Sequence, residues 1–284
     1  MAVKQARELG GFLHSRRSHV TPQVAGVPVL GRRRVPGLRR EEVAELAGVS
    51  TVYYTRLEQG RATNPSDSVL DALARVLRLD ATERAHLYAL ARPPQHRAGE
   101  SLSPEAQRVR PEVRRLLDAV GAVPAYVLDL DMDVLAANDL ALALIPGSAG
   151  VPAGTLNIAR YIFLDNAARS LYPHWEQVAR QTVGFLRFSA ARHAHQARLG
   201  HLVAELSDHS PEFRGWWAEQ EVQEKTHGAK TFDHPVAGRF DLAYETLALP
   251  GDEGQSLVIF TAPCGTAEGA LKLLGSWAAT SARQ

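Results

Sequence analysis

The apolar positions of the first 93 residues recur every three to four residues, which is the spacing of one face of an α-helix. Ser50, Ser66 and Asp80 stand at N-cap positions, and Glu83 adds the acid of a capping box. The pattern predicts an all-α domain of five helices. Their predicted bounds are Gln5–Arg17, Arg39–Leu46, Ser50–Glu58, Ser66–Leu77 and Asp80–Ala91.

Strand-like stretches alternate with helical patterns in the rest of the chain. Residues 126–138 predict two short strands around an acidic turn at Asp131–Asp133, and a hairpin turn is predicted at Pro250–Gly254. Further strands are predicted at Thr231–His234, Gly238–Leu249 and Gln255–Ala262, and helices at 140–145, 167–190, 194–206, 211–220 and 267–279. An antiparallel sheet crossed by helices is an α+β arrangement, so the predicted fold class is α + (α+β).

A proline-rich connector separates the two parts. Residues 92–104 hold three prolines and a glycine between strongly helical segments. Proline has no amide donor and restricts the residue before it, so this stretch predicts a domain boundary. We expect one domain at 1–93 and a second at 104–280.

The charge of the chain is divided unevenly between these parts. Residues 1–97 carry 16 Lys and Arg against 9 Asp and Glu, a net charge of +7, whereas the rest carries 16 against 22, a net charge of −6. A basic N-terminal part joined to an acidic remainder predicts a polyanionic partner for the N-terminal part alone.

The cysteine count, the apolar stretches and the histidine spacing argue against disulfide-linked, membrane-spanning and metal-binding proteins. Cys264 is the only cysteine, which excludes intrachain disulfides and sites built from several cysteines. We expect a cytoplasmic protein without a membrane segment, because the N-terminus is charged and uninterrupted apolar stretches of about 18 residues are missing. His193 and His195 point about 200° apart on a helix and cannot chelate together. We therefore predict no metal site, no cofactor and no catalytic residues.

The segment Leu38–Gly60 has the spacing of a helix-turn-helix, in which two helices meet steeply through a short turn. Ala44 is small enough for close helix approach, and Gly48 can adopt the positive φ that such a turn needs. The second helix presents its N-terminal side to base edges in the major groove, and arginines before it suit phosphate oxygens. The predicted DNA-binding residues are Arg32, Arg33, Arg34, Arg39, Arg40, Ser50, Thr51, Tyr53 and Arg56.

This segment resembles the helix-turn-helix of the Xre and phage-repressor class, and the Arg-rich insert before it resembles the MmyB-like branch. The likeness continues with motifs in the same order and spacing, at Asn157–Arg160, Phe163–Asp165, Arg169, Trp175, Ser210–Phe213, Trp217, Thr226–Gly228, Lys230, His234–Pro235 and Tyr244–Glu245. The resemblance covers nearly the whole chain. It implies a helix-turn-helix DNA-binding domain at 1–93 and a PAS-like ligand-binding and dimerisation domain at 104–280, with a fatty-acid-like molecule as the candidate ligand.

The ligand-binding candidates are Arg160, Tyr172, Trp175, Phe213, Trp217 and Tyr244. Arg160, Tyr172 and Tyr244 can each donate a hydrogen bond to a carboxylate. Two simpler interpretations stay open: the aromatic residues form an ordinary core, and Asp165 and Arg169 form a structural ion pair.

The sequence thus favours a DNA-binding transcriptional regulator controlled by a small apolar effector. Control by a protein partner is the alternative, with the C-terminal domain serving for dimerisation and interaction only. An enzyme with a DNA-targeting head is a further alternative. Because one recognition helix covers only a few base pairs, we expect a homodimer on double-stranded DNA with an inverted-repeat operator.

Overall fold

A computed structural model describes residues 2–28, 33, 35–62, 64–92, 108–148, 154–194, 196–252, 254–263 and 265–281. The chain divides into two compact units. The first consists of Met1–His96, Arg187–Ala194 and Trp216–Glu224, and the second of Arg97–Leu186, His195–Gly215 and Lys225–Gln284. All of the predicted connector except Arg92 lies outside the described residues.

The first unit contains the five predicted helices. They are α1 (Ala2–His19), α2 (Arg40–Ala47), α3 (Thr51–Glu58), α4 (Asp67–Val76) and α5 (Ala81–Ala91). The predicted caps are confirmed: Ser50, Ser66 and Asp80 each accept a backbone N–H, and Glu83 completes the capping box. A core of apolar side chains joins the helices, including Phe12, Leu13, Tyr54, Leu57, Leu73 and Leu87.

The turn between α2 and α3 has the predicted geometry. Gly48 ends α2 with φ 68°, and Ala44 is fully buried. Gly10 allows an equally close approach on α1, because a Cβ atom there would lie 2.3 Å from the Glu58 carbonyl oxygen. Small residues at these points let α1, α2 and α3 pack at short distances.

The second unit is built around one five-stranded antiparallel sheet, as the α+β prediction required. Its strands are β1 (Ala125–Leu128), β2 (Val134–Ala137), β3 (His227–His234), β4 (Gly238–Ala248) and β5 (Ser256–Thr261), in the order β2-β1-β5-β4-β3. The helices that begin in this unit are α6 (Pro111–Ala119), α7 (Asp139–Leu144), α8 (Ile158–Leu164), α9 (Asn166–Leu171), α10 (Trp175–Arg192), α11 (Ala197–His209), α12 (Pro211–Ala218) and α13 (Gly265–Ser281).

Three helical features differ from the prediction. The sequence pattern did not predict α6 or α8. The pattern at 167–190 is two helices, α9 and α10, because Pro173 between them lacks an amide donor.

The strand register gives the sheet two different faces. Lys230 pairs with Leu242, and Tyr244 pairs with Phe260, so these side chains lie on one face. The other face belongs to a separate core around α6, formed by Val109, Val113, Leu117, Ala125, Val127, Leu135, Ala136 and Leu257. The first of these faces carries the aromatic residues that bear on ligand binding.

Candidate DNA interface and effector site

The exposed side of α3 forms a narrow stripe. Val52, Arg56 and Gln59 are exposed at spacings of four and three residues, whereas Tyr54 and Leu57 are buried on the opposite side. Val52 is 71% exposed and was not among the predicted residues, because an apolar side chain in a helical pattern is normally assigned to the core. The four-residue spacing between Val52 and Arg56 is the sequence feature that places both on one side of the helix.

The predicted base-reading residues occupy different environments on α3. Ser50 and Thr51 are exposed at its N-terminus, where the Ser50 hydroxyl accepts the Tyr53 amide at 3.1 Å. Tyr53 is half-buried and packs against the core. Ser50, Thr51 and Arg56 are therefore fully available at the surface, whereas Tyr53 is only partly so.

A buried carboxylate joins α1 to the two helices of the helix-turn-helix, α2 and α3. Glu58 on α3 accepts hydrogen bonds from Arg17 at 2.9 and 2.8 Å and from Arg40 at 3.1 Å. Burial opposes ionisation of Glu58, but the hydrogen bonds from Arg17 and His14 outweigh it and lower its pKa to about 2. Arg40, a predicted phosphate ligand, thus has a structural partner while its side chain stays partly exposed.

The arginine run before α2 is described only in part. Arg33 forms a bidentate pair with Glu42, with both distances 2.7 Å, and donates to the Gly37 carbonyl oxygen at 3.0 Å. This pair holds the insert against α2. Arg39 is exposed at the start of that helix, whereas Arg32 and Arg34 lie outside the described residues.

Two of the predicted ligand residues meet on the aromatic face of the sheet. The Lys230 ammonium lies 5.6 Å from the ring centroid of Tyr172 and 5.4 Å from that of Tyr244. Lys225 approaches the Tyr244 ring at 5.7 Å. Phe232 and Phe260 complete the surroundings, 5.9 Å apart and close to the two tyrosines. This group of six residues is called the lysine–tyrosine cluster below.

Lys230 is 6% exposed, and no acidic side chain among the described residues pairs with its amino group. Burial, together with the charge of Lys225, lowers the pKa of Lys230 well below its usual value, and burial lowers the pKa of the half-buried Lys225 to about 8. Burial raises the pKa of Tyr172 and of Tyr244, so both hydroxyls keep their protons. The cluster therefore offers donors and no acid.

Sequence reasoning did not select either lysine as a ligand contact, although composition held a signal. The chain has 28 arginines but only four lysines, and two of the four stand five residues apart in this cluster. A buried lysine loses its proton far more readily than a buried arginine. A lysine therefore suits a buried position where the side chain has no acidic partner until a ligand binds.

Trp175 and Phe213 belong to a second aromatic group, centred on Phe163. Phe163 makes edge contacts with both, at centroid distances of 6.1 and 5.0 Å, and the Trp175 indole donates to the Ile162 carbonyl oxygen at 2.8 Å. Arg169 stacks on Trp175 at 3.7 Å. These contacts make the group a packed part of the second unit.

The interpretation of Asp165 and Arg169 as an ion pair was wrong. The Asp165 carboxylate caps α9 by accepting the Ala167 amide at 2.8 Å. Arg169 instead donates to Glu212 at 2.6 Å, because its position over Trp175 turns it toward α12.

Arg160 is engaged by acids at a distinct place in the second unit. Its guanidinium donates to both carboxylate oxygens of Glu205, at 2.7 to 3.1 Å, and lies 4.0 Å from Asp133. Asp133 also pairs with Arg198 and accepts from Asn157 at 2.7 Å. The network ties the β1–β2 turn to α8 and α11, so Arg160 already has carboxylate partners.

Trp217 belongs to the first unit, unlike the other five ligand candidates. The Arg187 guanidinium lies 4.1 Å from the Trp217 ring centroid and donates to its carbonyl oxygen. Arg187 is buried and also contacts Glu8 at 3.3 Å and Gln220 at 2.7 Å. Trp217 therefore packs within a charged cluster of the first unit.

Membrane-spanning helices and metal-binding side-chain groups are both absent from the described part of the chain. None of its helices is long and apolar enough to cross a membrane. Within the same residues, no group of three or more His, Cys, Asp or Glu side chains is arranged to hold a metal ion.

Comparison with known families accounts for both units. A helix-turn-helix domain family matches residues 8–87. The family described as the MmyB-like transcription regulator ligand binding domain matches residues 109–274, more than half of the chain. No curated protein matches the chain. Both matches confirm the resemblance, and together with the helix-turn-helix geometry they show that the chain belongs to the MmyB-like transcription regulators, DNA-binding proteins with a C-terminal ligand-binding domain.

Proposed function

We propose that this regulator reads an operator with α3 and responds to an apolar ligand with an acidic head, held by the lysine–tyrosine cluster. The observation that carries the second part is the buried side chain of Lys230, which has no acidic partner among the described residues. The regulator controlled by a protein partner is the competing possibility, and the experiments below separate the two.

The DNA part rests on charge and exposure at the helix-turn-helix. Ser50, Thr51 and Arg56 are exposed on the recognition helix, in the position from which side chains reach base edges. Arg39 is exposed and Arg40 partly exposed at the start of α2, where they suit phosphate oxygens. The remaining members of the proposed DNA-binding set are Arg32, Arg33, Arg34 and Tyr53.

A homodimer on an inverted repeat follows from the size of α3. The helix has eight residues and spans about 12 Å, so it covers only a few base pairs. Two copies one helical turn apart on the DNA would supply the contact area that a specific operator needs. Sedimentation of the protein with its operator tests this, and a monomer on DNA would contradict it.

The effector part rests on the energetics of burial. A buried ammonium is costly unless an anion pairs with it, so burial favours the neutral amine of Lys230 in the empty site, and a ligand carboxylate placed there would stabilise the protonated form. The hydroxyls of Tyr172 and Tyr244 can donate to the same carboxylate. Phe232 and Phe260 offer apolar surface for the tail, at about 25 cal/mol per Å² buried. Arg160 is a weaker candidate for the head, because Glu205 already occupies its guanidinium.

The DNA part is tested by selecting an operator from random duplexes and then comparing variants. Arg56→Ala is expected to weaken operator binding by about 1–3 kcal/mol and to leave binding to random DNA nearly unchanged. Arg75→Ala, an exposed arginine on α4, is the matched control and should have little effect. Equal loss on operator and random DNA would remove Arg56 from the base-reading set.

The effector part is tested by titrating the protein with a straight-chain fatty acid and with the alcohol of the same length. Wild type should bind the acid more tightly than the alcohol, and Lys230→Met should weaken acid binding at least ten-fold. Lys272→Met, an exposed lysine on α13, is the control. Equal binding of acid and alcohol by wild type would contradict the acidic head, and binding of neither would favour the protein-partner alternative.

A further inference from the structure

The recognition helix presents an apolar side chain at the point where polar ones are expected. Val52 is 71% exposed, more than any other large apolar side chain among the described residues. It stands in the first turn of α3, two residues after the Ser50 cap. The first turn is the part of a recognition helix that approaches base edges most closely.

Val52 also lies in line with the proposed base reader. Val52 and Arg56 are four residues apart on the exposed stripe, whereas Tyr54 and Leu57 anchor the opposite side in the core. Whatever brings Arg56 to a base therefore brings Val52 into the same groove. The two residues are about 6 Å apart along the helix axis, which corresponds to roughly two base-pair steps.

We infer that Val52 is a specificity-determining residue that packs against the 5-methyl group of a thymine. In the major groove this methyl group is the one bulky apolar group among base edges that otherwise present mainly hydrogen-bond donors and acceptors. An exposed valine cannot hydrogen-bond to the polar groups, but its contact with the methyl group is favourable because it removes apolar surface from water. The inference rests on the proposed reading of the operator by α3 and names one base that α3 recognises.

The test uses the selected operator with each thymine replaced singly by deoxyuridine, which removes only the methyl group. For wild-type protein, one thymine in each half-site should show about a four-fold loss of affinity, the amount expected for burying one methyl group. Val52→Ala should bind the unmodified operator more weakly and should show no loss at that position. Val24→Ala, at a valine exposed elsewhere in the first unit, is the control and should behave as wild type.

The outcomes separate this inference from the proposed function beneath it. Equal sensitivity of wild type and Val52→Ala at every thymine would overturn the role of Val52 while leaving operator reading intact. Failure of wild type to select any sequence would overturn operator reading, and the inference with it. Unfolding curves are the check that the variants are folded, which is expected because Val52 is exposed and lies outside the core cluster of the first unit.

Discussion

Glu58 is the residue on which the helix-turn-helix depends most directly. It is 8% exposed, and its carboxylate satisfies Arg17 from α1 and Arg40 from α2. Arg17 is itself buried, and the charge of Glu58 raises its pKa through their hydrogen bond. Loss of this carboxylate would leave a buried guanidinium without its counter-ion.

Glu58→Gln is therefore expected to lower the free energy of unfolding by about 3–5 kcal/mol. The pKa of Glu58 is lower in the folded chain than in the unfolded chain, about 2 against 4.5. The stabilisation is thus present above pH 4.5 and is lost as the pH falls toward 2. Denaturant unfolding at several pH values measures it. Glu45→Gln, at an exposed glutamate on α2, is the control, and equal effects of the two substitutions would contradict the role of Glu58.

His86 gives a second prediction at the residue scale. It is 1% exposed, and neither ring nitrogen has a hydrogen-bond partner among the described residues. Burial lowers its pKa to about 3, with the charges of Arg187 and Arg16 adding to the effect. The unfolded chain therefore binds a proton near pH 6.5 that the folded chain binds only near pH 3, so stability is complete above pH 6.5 and falls below it.

His86→Leu is expected to raise the free energy of unfolding by about 1–2 kcal/mol at pH 7, because it removes unsatisfied polar atoms from the core. The variant should also lose less stability than wild type between pH 6.5 and pH 4. Thermal unfolding across this range is the measurement, with His201→Leu at an exposed position on α11 as the control. A loss of stability that is the same at pH 7 and pH 4 would contradict this prediction.

At the scale of elements, the acidic turn between β1 and β2 is held by one of its own side chains. The Asp129 carboxylate accepts the amides of Asp131 and Asp133, both at 2.9 Å. Burial raises the pKa of Asp129 to about 7, and the charges of Asp133 and Asp131 add to this. The folded chain then binds a proton that the unfolded chain has already released between pH 3.8 and 7, so stability falls as the pH rises through this window.

Asp129→Asn keeps the oxygen that accepts both amides and removes the charge. The variant is expected to be more stable than wild type at pH 8, and the difference should shrink as the pH falls toward 4. Chemical denaturation at the two pH values measures this. A difference that does not change with pH would contradict a raised pKa at Asp129.

The elements that the sequence predicted are those with local signals. The three capped helices α3, α4 and α5, the hairpin turn at Pro250–Gly254 and the left-handed Gly48 all depend on residues close in sequence. Helix α6 was missed although its buried Val113 and Leu117 stand four residues apart, whereas α8 has apolar residues nearly all round: Ile158, Ala159, Tyr161, Ile162 and Phe163 are buried. An evenly apolar helix has no polar face, so periodicity does not reveal it.

At the scale of the whole molecule, the DNA interface was more predictable than the effector site. The stripe on α3 follows from spacing within eight residues. The lysine–tyrosine cluster instead joins Tyr172, at the end of α9, to strands β3, β4 and β5, which come much later in the chain. Only the strand register brings Lys230 to the face of Tyr244 and Phe260. Sequence reasoning therefore selected the two tyrosines as isolated residues and could not find the lysine between them.

An acid bound at Lys230 is expected to alter operator binding. A ligand shifts the DNA-binding equilibrium only when it binds the two states with different affinity, and a difference of about 1–3 kcal/mol changes operator affinity about 5- to 150-fold. Fluorescence anisotropy of the labelled operator, with and without saturating fatty acid, measures this directly. We expect such a change for wild type and none for Lys230→Met. An operator affinity that is identical with and without bound acid would contradict the claim and favour control by a protein partner.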